Sequence, residues 1–424
     1  MKPFSFATAL TVAAALSVAG HDASACGSCV AQPGSVQLVT DHRMVLALGA
    51  DRTTLWDQMV VQGDGREFAW ILPLQNATGA TVDFAAPEFM DAVDDFTAPF
   101  SIPPVCAVFN SRPVQAPSPG ATPVGVPEIL HGEVPGALAT WLAANDLAMP
   151  QQHAALIAQY EAVHSDYIAV RFQPPRFARG TRTIAVPVRV RMRGLCVSLP
   201  LRSISIGTGD TTGVVLIVVA PSRQGPMGFP ERVIPREQLV WDYDRTDLSA
   251  LDAYLRVFRR TAALERGRTW IAESVAETTR AEFEARISTA ARARSVTDLD
   301  VAFGAQPERL AVVTRLRAEL PAPALDQDLQ LQAVDGPVIS REYHWSGDAA
   351  VCDARPGGGD SGGGVIAPPG PDARGVAGDA GGSHLTGGAS CACRTQRPAR
   401  ENRQIDAVVA AIGATMLARR GRRR

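Results

Sequence analysis

The chain has 424 residues, a formal net charge of −2, 46% hydrophobic and 20% charged residues, and seven cysteines. This composition excludes a disordered chain, a collagen-like repeat and a strongly basic nucleic-acid-binding protein. At about 150 residues per domain, the length allows two or three domains, or one large β-rich domain with appendages.

The N-terminus has the pattern of a secretory signal peptide. An apolar stretch at residues 4–19 is followed by Ala23 and Ala25, the small residues that signal peptidase requires, and then by Cys26. We predict that the export machinery removes residues 1–25 and that the mature chain begins at Cys26. Lipidation of this cysteine, as in bacterial lipoproteins, is the less favoured alternative because the preceding residues lack the usual leucine.

The C-terminus divides into two segments with different compositions. Residues 353–390 are rich in glycine and proline, which predicts a disordered linker. Residues 391–424 contain Cys391, Cys393, an apolar run at 407–418 and a terminal arginine cluster. Because twelve helical residues span only ~18 Å of a ~30 Å bilayer core, this run does not predict a permanent membrane span.

The order of glycine-rich linker, cysteine motif, short apolar helix and terminal arginines resembles the Myxo-CTERM sorting signal of myxobacterial surface proteins. The resemblance implies that a sorting protease cuts near Cys391 and Cys393, after which the cysteine anchors the product at the cell surface. The apolar run is shorter and poorer in leucine than in that family, and Asp406 lies at its edge. A disordered basic tail without a sorting role is the alternative.

Removal of both ends would leave an acidic body. Segments 1–25 and 391–424 hold ten of the 41 lysines and arginines and three of the 43 acidic residues. The remaining 31 basic and 40 acidic residues give a formal charge of −9. Such a surface repels phosphate backbones and anionic lipids, so no nucleic-acid partner is predicted.

Residues 26–352 are predicted to form a globular body of the α+β class, mainly antiparallel β-sheets in a sandwich-like arrangement with several helical insertions. Two subdomains dividing near residues 225–245 are an option that the sequence leaves open. Strands are predicted at 37–39, 44–48, 53–61, 67–74, 167–172, 182–193, 196–201 and 213–220, and helices at 87–96, 136–145, 150–163 and 247–264.

Local signals refine three of these elements. Turn residues at 62–66 predict an antiparallel hairpin between the runs at 53–61 and 67–74, packed on a core by one face. Asp247 is a plausible N-cap of the last helix. The proline-rich segment 111–135 is predicted to be a surface loop.

Arginines alternate with apolar residues in the run at 182–193. Arg189, Arg191 and Arg193 are expected on one face, and Pro187 is expected at an edge or bulge. A solvated strand face is the favoured interpretation of the arginine stripe, and an anion-binding surface is the alternative.

A second resemblance covers most of the mature chain. The cysteine at the mature start, the glycine–aspartate turn, the run Phe-Ala-Trp-Ile-Leu-Pro-Leu at residues 68–74, the helix at 138–150 and the strand pair ending at 200–201 are similar to the bacterial secreted domain-of-unknown-function family 2330. The resemblance implies secretion and supplies no catalytic residue.

Cys26 and Cys29 have the spacing of a redox dithiol. A thioredoxin-type site needs this pair at a helix start after a strand, so a structural disulfide or half of a metal site is favoured. Cys106, Cys196 and Cys352 are isolated in the sequence, so no second ligand pair completes a zinc site. Five cysteines in an exported body leave at least one unpaired, modified or intermolecular.

The sequence contains no HExxH, GxSxG or Walker-type motif. The contiguous His164, Ser165 and Asp166 more readily end a helix and begin a strand than form a triad. Asp242 and Asp244 are expected on one solvent face, with sugar or carboxylate chemistry as the alternative.

No catalytic, cofactor-binding or metal-binding residue is predicted from these patterns. The favoured function is an exported cell-envelope or surface protein, at the outer membrane or secreted, that acts as a non-enzymatic binding or structural module. An extracellular hydrolase with a dispersed active site is the alternative.

Overall fold

The computed structural model describes residues 29–347, apart from 36, 76, 105–106, 108–117, 176–179, 181, 245–248 and 305. It contains 27% helix and 43% strand, and most strand pairs are antiparallel. The fold is therefore α+β, as the sequence predicts.

The described strands are β1 (Cys29–Ala31), β2 (Gln37–Leu48), β3 (Arg52–Gly63), β4 (Phe68–Leu74), β5 (Thr81–Phe84), β6 (Phe100–Ile102), β7 (Ser118–Leu130), β8 (Asp166–Gln173), β9 (Arg182–Ala185), β10 (Val188–Arg193), β11 (Ser198–Leu199), β12 (Thr208–Ala220), β13 (Gln224–Met227), β14 (Glu231–Arg232), β15 (Trp270–Thr279), β16 (Leu310–Pro321), β17 (Leu329–Ala333) and β18 (Glu342–His344). The described helices are α1 (Pro87–Thr97), α2 (Ala137–Ala144), α3 (Ala154–Ala162), α4 (Leu201–Ile204), α5 (Ala250–Ala262), α6 (Leu264–Gly267), α7 (Arg280–Arg286) and α8 (Thr289–Phe303), with short 3₁₀ turns at Gln151–His153, Arg236–Gln238 and Ala322–Ala324.

Thirteen of the described strands form one sheet. Its main path is β1-β4-β8-β7-β9-β3-β2-β12-β16-β15-β14, and β10 pairs with β3 and with β5. Most neighbours are antiparallel, but β2 with β12, β7 with β9, and β14 with β15 are parallel. Strands β11, β17 and β13 form a separate three-stranded sheet, and β6 pairs with β18.

The two halves of the large sheet pack on a common inner core. Alternate residues of β4, Phe68, Trp70 and Leu72, belong to the same cluster as Met44 and Leu46 of β2, although β2 and β4 are not paired. This face-to-face packing is the predicted sandwich-like arrangement.

Helices cover the outer faces of both halves. On the β2–β3 side, Val45 and Trp56 pack with residues of α1, α7 and α8. On the β4–β8 side, Ile71 and Tyr167 pack with residues of α2 and α3, and α5 covers Ile271 of β15. Central strands are therefore buried on both faces, which explains why β4 reads as a continuous apolar run.

The predicted hairpin between the runs at 53–61 and 67–74 is wrong. β3 pairs with β2, β9 and β10, whereas β4 pairs with β1 and β8. The turn residues at 62–66 instead carry the chain from one half of the sandwich to the other. Asp64 holds this crossing by accepting hydrogen bonds from Ser35 Oγ at 2.8 Å and Gln37 Nε2 at 3.0 Å.

Two further local predictions need correction. The proline-rich segment predicted as a surface loop contains β7, which pairs with both β8 and β9 and so joins the two halves of the sheet. The N-cap of α5 is Ser249, which forms a capping box with Asp252. Asp247 lies outside the described residues.

Candidate functional site

A cleft lies on the outer face of the sheet, where the β2–β3 turn, the end of β12 and the C-terminal end of α8 meet. Its volume is about 230 Å³. Its lining is mainly apolar and also contains four ionisable side chains, which are Asp51, Arg52, Arg191 and Arg309.

Glycines shape two walls of this cleft. Gly49 donates its backbone N–H to the carbonyl of Arg52 at 2.9 Å, and a Cβ at this position would lie 2.8 Å from that carbonyl oxygen. Only glycine therefore fits this tight turn between β2 and β3. Gly304 ends α8 with a φ of 82°, a conformation that other residues rarely adopt.

The three arginines of the cleft are uncompensated. Within the described part of the chain, Arg52, Arg191 and Arg309 make no side-chain hydrogen bond or ion pair, and Asp51 pairs with none of them. Arg191 is half-buried, and its Nε is fully buried without an acceptor. Arg191 thus lines the cleft with no partner among the described residues, although its Nε is itself closed off from solvent.

Arg189, one pleat away on the same face of β10, has a different environment. It is 6% exposed and donates to Asp83 Oδ1 and Asp298 Oδ1, both at 2.7 Å. Asp298 on α8 also accepts the indole N–H of Trp56 at 2.7 Å. These bonds fix α8, the wall of the cleft, on the sheet.

The arginine stripe is therefore not a uniformly solvated face, because α8 covers part of it. Arg189 is buried and paired, Arg191 lines the cleft, and Arg193 is exposed. Pro187 separates β9 from β10 and leaves its carbonyl to accept the Ala85 N–H at 2.9 Å, as expected for a break in the strand.

A second polar cluster lies in the inner core. His42 Nδ1 is 2.9 Å from Asp57 Oδ1, and Trp70 Nε1 donates to Asp57 Oδ2 at 2.9 Å. All three side chains are buried, and His42 Nε2 has no hydrogen-bond partner among the described atoms. A cavity of about 10 Å³ next to Asp57 and Trp70 has room for one water at most.

A third cluster joins α1 and α5 to β15 and β16. Glu273 accepts hydrogen bonds from Tyr254 Oη and Arg315 Nε, both at 2.6 Å, and Arg315 also pairs with Asp94. Burial and the Glu273 carboxylate raise the pKa of Tyr254. Burial opposes the ionisation of Asp94, but the guanidinium groups of Arg315 and Arg43 outweigh it and lower the pKa of Asp94. Because the charges are paired, this cluster is structural.

The contiguous His164, Ser165 and Asp166 end a helical segment and begin β8, as predicted. The Asp166 carboxylate accepts the backbone N–H groups of Ala77 at 2.6 Å and Gly132 at 2.8 Å, so it orders two loops.

Asp242 and Asp244 are close in space. Asp242 Oδ1 accepts the backbone N–H of Asp244 at 3.2 Å, and both side chains face solvent rather than a cleft.

The predicted processing residues Ala23, Ala25, Cys26, Cys391 and Cys393 lie outside the described residues, as do Cys106 and Cys352. Cys29 is disulfide-bonded, and Cys196 is buried with its thiol directed at the carbonyl of Ser198. The Cys26–Cys29 pairing stays a prediction.

The described residues hold neither a metal-binding cluster nor a membrane-spanning helix. No group of three or more histidine, cysteine, aspartate or glutamate residues there is arranged to hold a metal ion. Within the same residues, every helix is too short or too polar to cross a membrane.

Residues 20–104 match the family model described as "Uncharacterized protein conserved in bacteria (DUF2330)". The match runs from β1 to β6 and includes the apolar run of β4. It stops before α2 and β11, so it covers less of the chain than the resemblance of the sequence suggested. No curated protein and no solved structure matches the chain.

The matched segment contains part of the cleft. Asp51 and Arg52 lie within it, whereas Arg191 and Arg309 do not. Sequence reasoning pointed to Arg191 through the alternation of β10 but missed Arg52 and Arg309. Neither arginine belongs to a local motif, because it is the fold that brings these distant residues together.

Proposed function

We propose that the protein is an exported cell-envelope or surface protein that binds a small anion in the arginine-lined cleft and performs no chemistry there. One observation carries the proposal, which is that Arg52, Arg191 and Arg309 line the cleft without a side-chain partner among the described residues. A guanidinium group binds carboxylate and phosphoryl oxygens through two parallel N–H donors, and an oxyanion would satisfy these unpaired groups.

The charge of the cleft supports the same function. Three guanidinium groups and one carboxylate leave two positive charges in the lining. A concave, partly apolar wall lowers the local dielectric constant and strengthens the attraction for an anion. The body as a whole is acidic, so the cleft would be a local exception on a negative surface.

The composition of the lining does not favour the alternative of a hydrolase. Among the described residues that form the cleft there is no histidine, cysteine or serine. An activated nucleophile needs a base within hydrogen-bond reach. His42 and Asp57 form such a pair, but they are enclosed in the inner core.

Export is the part of the proposal that rests on the ends of the chain. The predicted signal peptide, the predicted sorting segment and the disulfide at Cys29 support it, since disulfides persist mainly in oxidising compartments. The partners would be the export machinery and a C-terminal sorting protease. Intact mass measurement of the envelope fraction tests this, because a species that runs from Met1 to Arg424 would exclude both cleavages.

Anion binding is tested by titrating the full chain with acetate, sulfate and phosphate at constant ionic strength. Arg191→Gln should weaken binding at least tenfold, since a charge-assisted hydrogen bond contributes about 1.5–3 kcal/mol. Arg260→Gln is the matched control, because Arg260 is an exposed arginine on α5 outside the cleft. Equal affinities for the two variants would contradict the proposed site.

A further inference from the structure

The cleft changes from polar to apolar along one row of the sheet. Arg191, Thr54, Ala47 and Val219 are neighbours in register on β10, β3, β2 and β12. All four line the cleft, so the row begins with a guanidinium group and ends with a branched apolar side chain. A ligand lying along this row would contact charge at one end and hydrocarbon at the other.

The apolar end of the cleft is lined by side chains that offer no hydrogen bond to an inorganic ion. Phe303 of α8 and Ala311 of β16 are buried there, and Leu310 at the same end is 56% exposed. A single exposed leucine is ordinary on a protein surface. Here Leu310 borders the apolar end of the cleft, so a ligand with an apolar part would remove from water both its own apolar surface and that of the cleft.

We infer that the ligand is a small organic anion that carries one oxyanion head, a carboxylate or a phosphoryl group, on a short apolar body. This inference rests on the proposed function and names the ligand class of the same site. The head accepts hydrogen bonds from the guanidinium group of Arg191, and the body lies over Ala47 and Val219.

The volume of the cleft limits the size of the ligand. A cavity of about 150 Å³ holds a ligand the size of benzene, so 230 Å³ suits a ligand of roughly nine non-hydrogen atoms. A carboxylate with about five or six carbon atoms fits this space. Longer chains would extend past the cleft into solvent.

The test is calorimetric titration of the full chain with alkanoates from acetate to octanoate, the matching alkyl phosphates, and inorganic phosphate as the head alone. Each methylene buried up to pentanoate or hexanoate should tighten Kd about fourfold, and longer chains should gain little. Comparison of the two series shows which head the arginines prefer.

Two variants separate head from body. Arg191→Gln should weaken all members of both series by a similar factor. Leu310→Ser, at an exposed position at the start of β16, should leave the Kd of acetate within about twofold but reduce the gain per methylene.

The outcomes distinguish the two proposals. Absence of binding by every anion would overturn the proposed function. Binding of acetate or inorganic phosphate as tightly as hexanoate, with no effect of Leu310→Ser, would overturn the apolar body while leaving a simple anion site.

Discussion

Trp70 on β4 donates its indole N–H to Asp57 on β3 at 2.9 Å, and the two strands belong to opposite halves of the sandwich. The same carboxylate contacts His42 Nδ1 at 2.9 Å. A polar bond therefore crosses the inner core between the two halves of the sandwich, and it fixes how they are placed relative to each other.

Trp70→Phe should lower the free energy of unfolding by about 2–4 kcal/mol. The variant removes a hydrogen bond to a buried carboxylate and leaves a small void. Urea unfolding followed by circular dichroism measures the loss. Trp141→Phe is the control, because Trp141 donates to the partly exposed Glu128, where water replaces the lost donor. Equal losses in the two variants would contradict the special role of the Asp57 bond.

Arg315→Met should cost about 3–5 kcal/mol, because it leaves Asp94 and Glu273 buried without their main cation. The matched change is Arg294→Met, which breaks the ion pair with Glu88 at a position where the arginine side chain is 69% exposed. That pair should contribute less than about 1 kcal/mol. Denaturant midpoints of the two variants provide the comparison, and a loss below 1 kcal/mol for Arg315→Met would show that the cluster is dispensable.

Acidification should destabilise the protein partly through Asp94. The pKa of Asp94 is lowered in the folded protein, so this carboxylate stabilises the fold at pH above its unfolded pKa of about 4, and the stabilisation is lost as the pH falls through the lower folded pKa. Asp94→Asn should flatten this part of the stability profile below about pH 4.

Asp335→Asn serves as its control, because Asp335 is exposed. The free energy of unfolding measured at each pH for the three proteins decides the matter. A slope for Asp94→Asn as steep as that of the unaltered protein would refute the linkage.

Asp298→Ala should loosen α8 locally. The substitution removes the acceptor for Trp56 and one acceptor for Arg189, so backbone amides of α8 should exchange with solvent roughly tenfold to hundredfold faster. Hydrogen exchange with mass spectrometry resolves the helix. Asp300→Ala, on the same helix but with an aspartate side chain that is 49% exposed, should change exchange far less. Similar protection in both variants would mean that α8 is held by apolar packing alone.

The sequence predicts the fold class and most element positions because the periodicity of apolar residues is local information. The helices α1, α2 and α3 and the strands β4 and β8 lie close to their predicted bounds. Strand pairing was harder to predict. The 62–66 segment has turn chemistry, yet β4 pairs elsewhere, because its second apolar face is satisfied only by distant helices.

The residues of the cleft, like the strand pairing, could be predicted only in part from the sequence. Arg191 could be placed on a strand face from its alternation with apolar residues, but its lack of a partner depends on where α8 ends. Arg189 has the same sequence context and is buried against Asp298. Which arginine is free to bind a ligand is therefore a property of tertiary packing and not of the motif.

The large sheet ends in very short strands, β1 with three residues and β14 with two. β1 pairs with the backbone edge of β4, an apolar seven-residue strand. Trimming of the chain past Ala31 would uncover that edge and offer a template for pairing with a second molecule. The position of N-terminal processing thus bears on whether the protein stays monodisperse, and a cut a few residues too far along would favour aggregation.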